Sequence, residues 1–132
     1  MSKNNLINKN MATFNYEEAI YGALCFIAGN DDNKISIEEK EGIKPRFLEL
    51  HYLSDATMET ISKKWSKDVS GFYYDVIDSL NECSYTEKLE AYKTICIILN
   101  AWTKRTSRWE PALDILNAMN ISKDEYNRYI GK

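Results

Sequence analysis

An all-α fold, a compact bundle of about seven helices, is what this sequence predicts, and three observations predict it. Glycine and proline are scarce, at five and two in 132 residues. That leaves few tight turns for a sandwich or barrel of short strands. Apolar residues recur at three- and four-residue spacing over long stretches instead of alternating. Helix starts are legible as well. Asn15 precedes Glu18, Ser36 precedes Glu39, Ser107 precedes Glu110, and Ser122 precedes Glu125. At that spacing the first side chain accepts from an N–H of the first turn and the second reaches back.

Each element follows in order. After Asn15, the residues Tyr16, Ile20, Ala23, Leu24 and Ile27 lie on helical spacing until Gly29 and Asn30 stop the run. A second helix is expected from Ile37 toward Leu53, with a kink or break near Lys44 because Pro45 has no N–H to donate. Ser54 or Asp55 caps a third helix carrying Met58, Ile61 and Trp65. A fourth holds Phe72, Val76, Ile77 and Leu80. The most apolar helix starts at Thr86. Leu89, Tyr92, Ile95, Cys96, Leu99 and Trp102 form its stripe, and Ile97 and Ile98 widen it. Such a helix belongs in the middle of a bundle. Pro111 prefers the first turn, so the next helix is expected to begin nearer Glu110 than Ser107. It carries Leu113, Leu116 and Met119, and a last helix carries Tyr126, Tyr129 and Ile130. Residues 1–14 are expected to be a flexible tail, polar and Asn-rich and without the apolar core of a secretory signal. Residues 15–132 form the domain, which at 44% hydrophobic and 28% charged has an ordinary globular balance.

Composition excludes several functions. The net charge is −3 and the isoelectric point near 5.2, which disfavours nucleic acid as a partner. The basic clusters Lys63, Lys64, Lys67 and Lys104, Arg105, Arg108 read as solvated helix faces. Three cysteines, Cys25, Cys83 and Cys96, have neither an even count nor CxxC spacing. They fit buried thiols in a reducing compartment, and a cytoplasmic location is the expectation. No run approaches the roughly 18 apolar residues of a membrane span. The single histidine, His51, has no motif around it, and no nucleophile elbow, Walker loop or dinucleotide fingerprint is present. An enzyme is therefore not expected.

The chain also resembles itself. Tyr21 through Ala28 aligns without gaps on Tyr92 through Leu99, at an offset of 71 residues. Tyr21 meets Tyr92, Leu24 meets Ile95, Cys25 meets Cys96, and Ile27 meets Ile98. At the same offset Ser36 falls on Ser107 and Glu39 on Glu110. A pseudo-twofold repeat follows as an expectation: two helical hairpins whose buried helices face each other.

Between the first two helices runs an acidic segment, Gly29 through Glu39. Its Asp31, Asp32, Glu38 and Glu39 carboxylates suit a hard divalent cation. An EF-hand is not expected, because Lys34 occupies a ligand place and Ile35 replaces the turn glycine. Turn and capping chemistry accounts for the same residues without a ligand. On the other side, Trp102 and Trp109 flank Lys104 and Arg105. Aromatic and Arg side chains are favoured at interface centres, so Trp102, Arg105 and Trp109 form a candidate partner-binding set.

Ala28 through Glu39, with Asp32, Lys34-Ile35-Ser36 and Glu39, resembles the "A-x-x-D-G-x-I-S-x-x-E" signature of the TerB-like tellurite-resistance family, which includes the DjlA N-terminal-like domain. Ala112 through Tyr126 resembles that family's closing segment. The resemblance spans about residues 15 to 130. It implies a TerB-like bundle with pseudo-twofold symmetry, divalent-cation binding (calcium, magnesium or zinc) by acids at the helix ends, and a role in stress response. Asp32 and Glu39 match the first acidic motif, and Asn33 stands where the family has glycine. In the second half Thr103 replaces the Asp and only Glu110 matches. Two functions are thus expected: a non-enzymatic cation- or partner-binding stress domain, or a metal-free protein-interaction or immunity-type module with an aromatic and basic surface. Neither fixes an oligomeric state.

Overall fold

The structure, a computed structural model, describes residues 14–29, 43–48, 53–102 and 109–131. These residues form seven helical segments and no strand. We label them α1 (Tyr16–Ala28), α2 (43–48), α3 (Asp55–Lys67), α4 (Val69–Asn81), α5 (Tyr85–Trp102), α6 (Trp109–Ala118) and α7 (Lys123–Gly131). No helix of the described residues is long and apolar enough to cross a membrane.

Capping chemistry sets most boundaries. Asn15 Oδ1 accepts from the Glu18 N–H at 2.9 Å, and Glu18 Oε1 accepts from the Asn15 N–H at 2.9 Å. Ser122 and Glu125 repeat this at 3.1 and 2.7 Å, opening α7. Ser84 and Glu87 make a third capping box, at 3.1 and 2.8 Å. The helix expected from Thr86 therefore starts at Tyr85. Ser54 caps α3, and Asp68 caps α4 by accepting from the Gly71 N–H. The expected pair Ser36–Glu39 and the residue Ser107 lie outside the described residues; α6 begins at Trp109. Residues 43–48 are helical, with Pro45 in the first described turn, where a missing N–H is tolerated. The turn before it, on which the expected kink or break bears, lies outside the described residues. The α6–α7 corner is a Schellman turn. Asn120 takes a positive φ of 63°, its N–H bonds to Asn117 O, and the Ile121 N–H bonds to Leu116 O at 3.3 Å.

The central helix is α1, not α5 as the apolar stripe predicts. Nine of the thirteen α1 residues are buried, and the helix packs against α3, α4, α5 and α6. Small residues allow this. A Cβ on Gly22 would lie 2.8 Å from Val76 Cγ2 and 3.1 Å from Phe72 Cζ, so α4 sits directly against the α1 backbone. Helix α5 shares the core through Leu89, Tyr92, Ile95, Ile98 and Leu99, but Ile97 is 44% exposed. Its extra isoleucine widens the stripe past what neighbours cover. Phe14 is buried, its N–H donates to Ser79 Oγ at 3.0 Å, and its ring meets Phe72 edge-on. Phe14 is thus part of the packed core.

Candidate functional site

Helix α1 ends at Gly29, whose N–H bonds back to Cys25 O at 2.9 Å. A Cβ at Gly29 would run into Cζ2 and Cη2 of Trp65. The indole of α3 therefore fixes the point where the chain leaves α1. Trp65 is fully buried, and its Nε1–H is a buried side-chain donor without a hydrogen-bond partner. The last turn of α1 carries no basic residue. A helix C-terminus has a partial negative charge of roughly half a unit, so this end is electronegative. The acidic segment starts two residues later.

Asp31, Asp32, Glu38 and Glu39 lie outside the described residues, as do His51 and Arg105. Trp102 is the last residue of α5, with its side chain outside the described set. Trp109 opens α6, half-buried and packed against the core. Of the seven site residues the sequence suggests, Trp109 alone can be placed in full. Among the described residues no group of three His, Cys, Asp or Glu side chains could hold a metal ion. The donor set of the acidic segment consists of carboxylates, which fits calcium or magnesium better than zinc.

The titratable groups of the interior are structural. Cys25 Sγ lies 3.9 Å from Ser62 Oγ, and both are buried. Tyr21 packs edge-on against Phe47 at 5.5 Å, and Tyr92 packs edge-on against Tyr126 at 4.7 Å. Burial pushes the Tyr21, Tyr92 and Tyr126 phenols well above their ordinary range, and Tyr16 up to about 12. Burial also raises the Cys83 and Cys96 thiols, with hydrogen bonds from Tyr126 and Tyr92 working the other way at Cys96. These shifts hold the groups neutral, the reverse of nucleophile activation.

One charged face stands out. Lys63, Lys64 and Lys67 are exposed on the C-terminal half of α3. They border a depression of about 370 Å³ with Thr60 and Ser66. Lys64 and Lys67 also border a second, of about 300 Å³, with Asp68, Gly71, Phe72 and Asp75. Sequence reading recognises the basic run but not the hollows, the second of which lies where α3 meets α4. No family model matches this chain, and neither a curated protein nor a solved structure matches it.

Proposed function

We propose that this chain is a non-enzymatic binding domain of the TerB-like kind, which holds a divalent cation at the acidic segment following α1. The observation that carries this reading is the electronegative end of α1: a helix C-terminus without a basic residue, leading into Asp31 and Asp32. A negative helix end followed in sequence by carboxylates favours a cation, which would relieve their mutual repulsion. Glu38 and Glu39 complete the donor set. The pseudo-twofold repeat belongs to the same reading. Its support is the packing of α1 on α5 and a hydrogen bond from Tyr16 Oη to Glu87 O at 3.3 Å, between residues 71 apart.

Thermal unfolding of the chain and of Asp32→Ala, with calcium, magnesium, manganese or zinc, tests the proposal. A cation at about a hundred times its dissociation constant adds roughly 2.7 kcal/mol of stability. The expected result is a rise with one cation that Asp32→Ala abolishes. If no cation raises the melting temperature, the segment is turn and capping chemistry. A second reading then takes over: a metal-free interaction module using Trp102, Arg105 and Trp109. The half-exposed position of Trp109 favours it. Loss of a partner complex in Arg105→Ala, with the melting temperature unchanged, supports that reading.

A further inference from the structure

We propose that the Lys63, Lys64 and Lys67 face of α3 is a docking surface for a carboxylate-rich segment of a partner protein. The three ammonium groups fall at i, i+1 and i+4, on one side of the helix. None forms an ion pair with a described residue; the ion pair of this helix, Lys44 with Asp55 at 3.8 Å, lies at its other end. Lys64 is positioned, with its ammonium 5.4 Å from the Phe14 ring centroid. Three exposed ammonium groups without an ion-pair partner among the described residues thus border one hollow, and Lys64 and Lys67 border a second that Asp68 and Asp75 also line, on a chain whose net charge is −3.

The surroundings select the partner. A small phosphate needs several convergent donors, and here most are spent. Asp68 takes the Gly71 N–H, Ser66 Oγ donates to Ser62 O, and Thr60 Oγ1 donates to Ala56 O. A membrane surface needs apolar side chains beside the lysines to insert. The large exposed hydrophobics among the described residues, Leu48, Tyr74, Tyr85, Ile97, Leu113 and Ile130, all lie off α3. A nucleic acid needs a longer basic track, and these three lysines span little more than one helical turn. A flexible acidic segment needs only spaced ammonium groups beside a hollow, which this face provides.

Titration of the isotope-labelled chain with a poly-glutamate peptide of about ten residues, followed by amide chemical shifts, tests this. Saturable shifts centred on residues 60–67 are expected, weakening at salt of about 0.3 M. The triple variant Lys63→Gln, Lys64→Gln, Lys67→Gln should bind at least about tenfold more weakly with an unchanged melting temperature. Lys67→Gln alone should weaken binding partly, and Lys93→Gln on α5 should leave it intact. Shifts spread evenly over Lys93, Lys123 and Arg128, or binding retained by the triple variant, would overturn the proposal. So would displacement of the peptide by equimolar pyrophosphate or by phosphatidylserine vesicles, which would assign the face to phosphate or to lipid.

Discussion

At the scale of single residues, the contact between Gly29 and Trp65 dominates. Gly29 has φ −94° and ψ 8°, a conformation open to any residue. What excludes a side chain is the indole ring. Gly29→Ala is expected to cost about 1–3 kcal/mol by overpacking, measured by urea denaturation. Trp65→Phe removes both the obstructing ring and the unpaired donor, so Gly29→Ala should cost less in that background. Additive effects of the two substitutions would sink this account. The thiols give a second prediction. Cys25 is 1% exposed, whereas Cys83 is half-buried. A thiol reagent should modify Cys83 in the native chain and reach Cys25 only on unfolding. Sequence showed Trp65 as a core residue and Gly29 as a stop. It could not show that they touch, because 36 residues separate them.

At the scale of elements, hydrogen-bonded caps decide where helices start. Ser84→Ala and Ser122→Ala should each cost about 0.5–2 kcal/mol, read from thermal melts. Glu125 caps α7 and also accepts from the Tyr85 hydroxyl at 3.0 Å. The Ser122 N–H and this hydroxyl lower its pKa below the ordinary 4.5. A carboxyl depressed in the folded state stabilises the fold above its unfolded pKa, and that contribution fades as pH falls through the folded value. Tyr85→Phe should therefore move the Glu125 titration upward, as carboxyl carbon shifts would show; an unmoved titration would remove the hydroxyl from the account. Three of the sequence pairs lie wholly or partly in described residues, and two of them, at Asn15 and Ser122, form complete boxes. Ser84 escaped notice because the apolar stripe drew attention to Thr86.

At the scale of the whole molecule, one apolar interior built around α1 holds four phenols neutral. Tyr16 is raised to about 12, and Tyr21, Tyr92 and Tyr126 lie higher still. Groups raised in this way lend stability that is complete below the unfolded pKa of about 10 and declines as pH climbs toward the folded values. Alkaline titration should show these phenols ionising together with unfolding. Phenolate absorbance that grows smoothly with the fold intact would contradict that. The helical class was legible because spacing and caps act locally. The identity of the central helix was not, because a stripe records how apolar a helix is, whereas centrality depends on how closely neighbours approach. Gly22 and the α1 alanines set that approach, and small residues score weakly in any hydrophobic pattern. For the metal site, legibility stopped at donor chemistry, since carboxylate spacing in a loop does not specify where oxygens converge.

The central place of α1 has a bearing on synthesis. Of the described helices it leaves the ribosome first, yet its partners extend to α6, which follows some eighty residues later. Through that interval its apolar surface lacks the cover that α5 and α6 provide, and long-range contacts of this kind form slowly. Nascent chains stalled just after α4 should be captured by hydrophobic-binding chaperones and cut readily by protease. Chains stalled beyond α6 should resist both. The helix that makes the finished domain stable is thus also the segment that most needs shelter while the domain is being made.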